Sequence, residues 1–200
     1  MDSLVFKIIK LIKEENGDSI SSFLNTIDRT YRMSDELRSK VDEFIRKSDC
    51  EKIEFAKFKM PAMGIALHNG VLINQVVLNQ GLENLLYIVF HEIAHQYQFK
   101  KYGKDKMYEC YIGEISDDEA ADFMRKTEIV ADDFAARKIR ELQKLGLINS
   151  SFVPLQPYKT LPLNQIKAMV VNYRRMLKQN NVNSPEKISE FFYNIVKDSL

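Results

Sequence analysis

The run His91-Glu92-Ile93-Ala94-His95 constrains this chain more than any other stretch. It lies where Leu82, Leu85, Leu86, Val89, Ile93 and Tyr97 recur at steps of three and four, the spacing of one amphipathic helix from about Leu82 to Tyr102. Residues four apart on a helix project from one face, one turn apart. His91 and His95 can therefore offer imidazole nitrogens to a single metal ion, at about 2.0–2.1 Å for zinc. Glu92 stands about 100° further round the helix. From there it can reach a water held on the metal and take its proton as the water attacks. Helices also carry His at i and i+4 for packing or exposure alone. Here two of the chain's three His fall in this arrangement, with Glu in the base position.

Catalytic zinc usually has three protein ligands and an open fourth position. The remaining His, His68, lies upstream at a turn. A longer motif with Gly three residues and His six residues after the second His is absent, because Gln98 and Lys101 occupy those positions. A carboxylate is therefore expected. Glu128 lies mid-helix among small and apolar residues, where an ionised group needs a partner. Asp132 follows one turn later and can fix the ring of a ligand His through its second nitrogen. Ala131 and Ala135 would let this helix approach the His91 helix closely. The rival pair is Glu119 and Asp122, but Glu119 is already explained by the capping box Ser116-Asp117-Asp118-Glu119. The residues favour Glu128; a solvent-facing Glu128 beside Lys126 is the plain alternative.

The rest of the chain frames these two helices. Residues 1–50 form a helical lead-in, with periodic patterns over residues 4–14, 20–31 and from Ser34 onward. Gly64–Leu67 and Val71–Ile73 flank His68-Asn69-Gly70, an Asn-Gly hairpin signal in which both residues tolerate positive φ. Two short antiparallel strands are expected there. Residues 104–115 read as a polar, aromatic-rich connection, and a long helix runs from the capping box to about Leu145. Pro154, Pro157 and Pro162 predict an extended surface loop, followed by helices from Asn164 to Lys178 and from Pro185 onward.

Twenty-nine basic and twenty-eight acidic residues leave a net charge of +1, which provides no field for nucleic acid or an acidic membrane. No apolar run is long enough to span a bilayer. The first ten residues are interrupted by Lys7 and Lys10 and lack a small-residue cleavage site, so no signal peptide is expected. Two distant cysteines, Cys50 and Cys110, suit reduced thiols in the cytoplasm.

The pattern His91-Glu92-x-x-His95 followed by Glu128-x-x-x-Asp132 resembles the gluzincin arrangement of zinc metallopeptidases. More narrowly, the hairpin, the helix and the series Glu128, Ala131, Phe134, Ala135 resemble the ImmA/IrrE family of compact intracellular peptidases, over roughly residues 64–140. Leu72-Ile73-Asn74 ahead of the motif gives a more distant likeness to SprT-like proteases, which use a third His. The resemblance implies a zincin-like fold and one Zn²⁺ held by His91, His95 and Glu128. It also implies a metal-bound water as nucleophile and Glu92 as general base on a protein or peptide substrate. The expected fold is α+β, mostly helical, with a short antiparallel sheet beside the motif helix. The expectation is one domain over residues 1–200: lead-in 1–50, hairpin and two metal-site helices 52–146, C-terminal helices 160–200. A hydrogen-bond donor that stabilises the carbonyl oxygen is expected, a Tyr or His68, with Tyr108, Tyr111, Tyr158 and His68 all open. The alternative is a zinc-binding regulatory module without catalysis, or a latent enzyme whose open position is filled by Cys110 or Cys50.

Overall fold

The computed structural model describes residues 18–197; the helix expected over residues 4–14 lies outside them. Asp18 opens α1 (Ser19–Tyr31) by accepting the Ile20 N–H at 3.0 Å. Ser34 caps α2 (Asp35–Arg46) in the same way through Leu37, and Leu37, Val41, Phe44 and Ile45 are buried as their spacing predicts. Each cap satisfies a first-turn N–H that has no partner within its own helix.

Three strands follow: β1 (Ile53–Ala56), β2 (Gly64–Leu67) and β3 (Gly70–Asn74). β2 and β3 form the expected antiparallel hairpin, with Leu67 opposite Gly70. The sheet is nevertheless mixed, because β1 pairs in parallel with β3 in the order β1-β3-β2. The expected purely antiparallel sheet is corrected on this point. Neither Asn69 nor Gly70 takes a positive φ. Gly70 matters for a different reason: a Cβ there would lie 2.7 Å from the carbonyl oxygen of Lys52, just ahead of β1.

The central strand β3 is buried along its whole length, and its alternating side chains divide the interior into two layers. Val71 and Ile73 join Ile53 and Phe55 against α1, α2 and the motif helix α3 (Leu82–Tyr102). Leu72 joins Ala56 and Leu67 on the opposite face, under the C-terminal helices. Phe23 stacks on Phe55 at 4.4 Å, and Phe90 meets Phe44 edge-on at 5.5 Å.

Gly81 and Gly103, at φ 93° and 80°, bracket α3. Residues 104–115, expected as a connection, contain a helix, α4 (Lys104–Ile112). Its buried side chains are Met107, Tyr108 and Cys110, while Asp105, Lys106 and Glu109 leave the other side polar. α5 (Asp117–Lys144) starts with the full capping box, the Ser116 and Glu119 side chains each bonding the other's backbone. The proline-punctuated segment contains one turn of helix, α6 (Pro157–Thr160), where an extended loop was expected. α7 (Leu163–Gln179) and α8 (Pro185–Lys197) complete the described chain. None of the described helices is long and apolar enough to cross a membrane.

α3 and α5 form the most extensive helix pair. Ala131, Ala135 and Ala136 are fully buried on α5, and Phe90 and Ile93 are fully buried on α3. Truncating Phe90 to Ala removes the largest fully buried side chain and leaves a cavity. The expected cost is about 3–5 kcal/mol of stability, read as a lower urea midpoint with an unchanged slope.

Candidate metal centre

The contacts between α3 and α5 run in opposite sequence directions, so the two helices are antiparallel. His91 meets Asp132, His95 meets Glu128, and Gln98 meets Thr127. Three donor atoms converge between them. His91 Nε2 lies 3.0 Å from Glu128 Oε2 and 3.3 Å from His95 Nε2, and His95 Nε2 lies 3.7 Å from the same carboxylate oxygen. His91, His95 and Glu128 thus form a group that could hold a metal ion.

The hydrogen-bond network decides which ring nitrogens carry protons. His91 Nδ1 faces Asp132 Oδ1 at 3.0 Å, and a carboxylate can only accept from it. His95 Nδ1 faces Gln98 Oε1 at 2.8 Å; the Gln98 amide is oriented by donating Nε2–H to the Thr127 carbonyl. Each Nδ1 thus has an acceptor for its proton, so with a cation in the group each ring can hold its proton on Nδ1 and turn an Nε2 lone pair inward. Two lone pairs and a carboxylate oxygen facing one another repel unless a cation lies between them. The separations of 3.0 to 3.7 Å bracket the roughly 3.3–3.4 Å expected between donors about 2.0–2.1 Å from a tetrahedral ion, so the group could hold a metal ion of that size.

The electrostatics point the same way. Burial works against charging the two rings, yet Asp132 and Glu128 outweigh it at His91, and Glu128 outweighs it at His95. Burial would raise Glu128, but the two imidazoles hold its carboxyl far below the usual range. Asp132 is almost wholly buried behind His91 and also accepts a hydrogen bond from Tyr87 at 2.8 Å. This places Asp132 where the sequence expected it.

Glu92 lies beside this group rather than in it, buried beneath β2. Burial raises its pKa, His91 and His95 lower it, and Glu128 raises it again. Gly64 on β2 makes room for it. A Cβ at position 64 would meet Glu92 Cγ, Oε1 and Cδ at 2.5, 2.6 and 2.7 Å.

The centre opens into a cleft of about 390 Å³ between β2, α3, α4, α5 and the C-terminal helices. Tyr158 of α6 stacks over His91 with ring centroids 6.3 Å apart. Gln156 anchors its helix to Asp132 and Asp133, and Lys159 pairs with Asp133 at 2.5 Å. Among the other open candidates, the Tyr108 hydroxyl accepts the His68 N–H at 3.0 Å and pairs with Ser189. His68 Nδ1 is bonded by Ser189 at 2.9 Å, so that ring fastens the hairpin turn to α8. Glu119 caps α5, and Asp122 pairs with Lys126.

Both cysteines are free and buried. Cys110 lines the cleft, but its thiol bonds to the Met107 carbonyl and burial pushes its pKa up to about 12. Cys50 bonds to the Lys52 carbonyl, with its pKa pushed up to about 11, again by burial. Neither belongs to the donor group. Gln96 and Gln98, the polar residues that follow His95, are both buried. Gln96 donates to the carbonyls of Leu67 and Gly70, which ties α3 to the hairpin. The roles of Gln98, Tyr87 and Gly64 were not read from the sequence. The one local sign was Gln98 at i+3 from His95.

Comparison with family models, with curated proteins and with solved structures finds no match for this chain.

Two outcomes follow from the geometry. Replacing Gln98 by Leu removes the acceptor that fixes His95, and zinc affinity should fall about 10–100-fold in a competitive chelator titration. Gly64→Ala should leave zinc affinity within about twofold while displacing Glu92, a shift visible in a crystal structure of the variant.

Proposed function

We propose that this chain is a zinc-dependent peptidase of gluzincin type, with His91, His95 and Glu128 as the zinc ligands. The observation that carries the proposal is the convergence of two imidazole lone pairs and one carboxylate oxygen beside a separate, buried carboxylate. A purely structural metal site has no use for Glu92, and closed structural sites normally have four protein ligands. When bound, zinc would supply Lewis acidity toward a water molecule and the scissile carbonyl.

The chain's own residues supply the rest. Glu92 takes a proton from the attacking water and delivers it to the leaving amine nitrogen. Its buried surroundings and raised pKa make it a stronger base than an exposed Glu. Asp132 and Gln98 hold the two imidazoles in orientation. Tyr158 is the tyrosine standing over His91. Burial and the nearby Glu128 keep its hydroxyl protonated, so it can donate a hydrogen bond to the carbonyl oxygen as negative charge develops.

The edge strand β2 borders the cleft, and its outer side is unpaired within the sheet. An extended peptide can add to such an edge by backbone hydrogen bonds, which align its chain without reading its sequence. The likeness to the ImmA/IrrE pattern supports this reading, and Cys110 latency does not enter it.

The test uses wild type, Glu92→Gln and Glu128→Ala together, with zinc content and cleavage of casein and a peptide library as readouts. Wild type should hold one zinc and cleave. Glu92→Gln should hold the same zinc but cleave about 10²–10⁴-fold more slowly, the usual contribution of a general base. Glu128→Ala should lose both zinc and cleavage. Zinc bound by wild type without cleavage of any substrate would reject the peptidase reading.

A further inference from the structure

We infer that Tyr111 and Tyr173 form a hydrogen-bonding subsite for one side-chain carboxamide, that of an Asn or Gln in the peptide substrate. The identity of the chain carrying that group rests on the peptidase reading above.

The two tyrosines come from different helices, Tyr111 from α4 and Tyr173 from α7, and both line the cleft. Their rings meet edge-on with centroids 5.6 Å apart, and both pack, partly buried, against the clusters that contain Tyr108 and Cys110. Met169, one turn before Tyr173 on α7, lines the cleft as well, so this face of the helix is turned toward it. Among the described residues neither the Tyr111 nor the Tyr173 hydroxyl has a hydrogen-bond partner. The neighbouring polar atoms of the wall do have partners. The Tyr108 hydroxyl is bonded to His68 and Ser189, Thr127 Oγ1 to the carbonyls of Phe123 and Met124, and Cys110 to that of Met107.

The electrostatics place both hydroxyls on the side of the metal centre. Burial pushes the pKa of each phenol up; Cys110 and then Glu128 add to it at Tyr111, Glu128 and Glu92 at Tyr173. Both therefore stay protonated, and each can donate one hydrogen bond while its oxygen accepts another.

A group that displaces water from this wall has to replace the water's hydrogen bonds or leave two hydroxyls stranded. An apolar side chain strands both. An ammonium can only donate, so neither phenol proton finds an acceptor. A carboxylate can only accept, and it would face Glu92 and Glu128 with no Lys or Arg lining the cleft. A carboxamide matches the pair: its oxygen accepts from one phenol, its N–H donates to the other, and it carries no charge to desolvate. The size fits as well. A cavity of about 150 Å³ holds a benzene, so the cleft's 390 Å³ accommodates an Asn or Gln side chain with the adjoining backbone.

The test reads binding, not turnover. The chain has nine tyrosines, and ¹³C at their Cζ atoms gives NMR signals that respond to hydrogen bonding of the hydroxyl. Tyr111→Phe and Tyr173→Phe each remove one signal and so assign it. The probes are N-acetyl-X-N-methylamides, with X as Gly, Asn, Gln, Leu, Met or Glu, titrated into the zinc-loaded full chain. Two matched hydrogen bonds correspond to about a fivefold to hundredfold gain in affinity. The Asn or Gln probe should therefore shift the Tyr111 and Tyr173 signals, with a dissociation constant lower by that factor than those of its near-isosteric Leu or Met counterpart and of the Gly probe. In the double variant Tyr111→Phe/Tyr173→Phe that advantage should vanish, while zinc affinity stays within about twofold.

The wild-type titration is decisive even if the double variant does not fold. Leu or Met probes that match Asn and Gln would overturn the subsite. So would a Gly probe that shifts the two signals equally, because the hydroxyls would then be taking the main-chain peptide group. A Glu probe drawn to the zinc itself is recognised by an affinity that the double variant retains; one that matches Gln and depends on both hydroxyls would overturn the subsite. Loss of zinc from the folded double variant would assign the hydroxyls to Glu128 instead and reject it too. Carboxamide-selective binding by a protein that cleaves nothing would retain the subsite and reject the peptidase reading. Cleavage without preference for Asn or Gln would do the reverse.

Discussion

Three electron-rich atoms brought together between two helices are the constraint on which this structure depends. His91 Nε2, His95 Nε2 and Glu128 Oε2 lie 3.0 to 3.7 Å apart, and each would repel the others in the absence of positive charge. The fold holds them there through packing that has little to do with chemistry. Fully buried alanines on α5 leave space for α3 to lie close, and Phe90 and Ile93 bury the opposite side of α3 in the core. Polar buttresses then set orientation. Asp132, itself bonded by Tyr87, fixes one imidazole, and Gln98, held by the Thr127 carbonyl, fixes the other.

Two further features follow from the same helix. Gln96 ties α3 to the carbonyls of Leu67 and Gly70, which fastens the hairpin to the helix that carries the metal centre. Glu92 lies under that sheet edge, in space that exists because residue 64 has no Cβ. A buried carboxylate with raised pKa is costly to the fold. Its placement beside, rather than within, the donor group is what separates a catalytic reading from a structural one. α7 and α8 bring no His, Asp, Glu, Lys or Arg side chain to the cleft and form its far wall through Met169, Tyr173, Ile188 and Phe192.

Much of the centre was legible in the sequence because helical spacing is local information. His91, Glu92 and His95 needed only the period of α3, and Glu128 with Asp132 needed the capping box that fixes where α5 begins. What was not legible depended on distant partners. β1 is four residues long and pairs in parallel with β3, an arrangement without a turn signal between adjacent strands. α4 was hidden because four of its nine residues are charged and its apolar side only makes sense against α5, α7 and α8. The Asn-Gly pair marked the hairpin, yet the turn forms without positive φ, and Gly70 is needed for close approach to Lys52 instead. Gln98 and Gly64 acquire their roles only when α3 meets α5 and β2.

The most direct measurement of the central claim is the zinc K-edge X-ray absorption spectrum of the purified chain loaded with one equivalent of zinc. The account predicts a four-coordinate site with nitrogen and oxygen donors at about 2.0–2.1 Å, multiple-scattering features of two imidazoles, and no sulfur. A sulfur shell at about 2.3 Å, a single imidazole, or zinc that remains fully hydrated would contradict it.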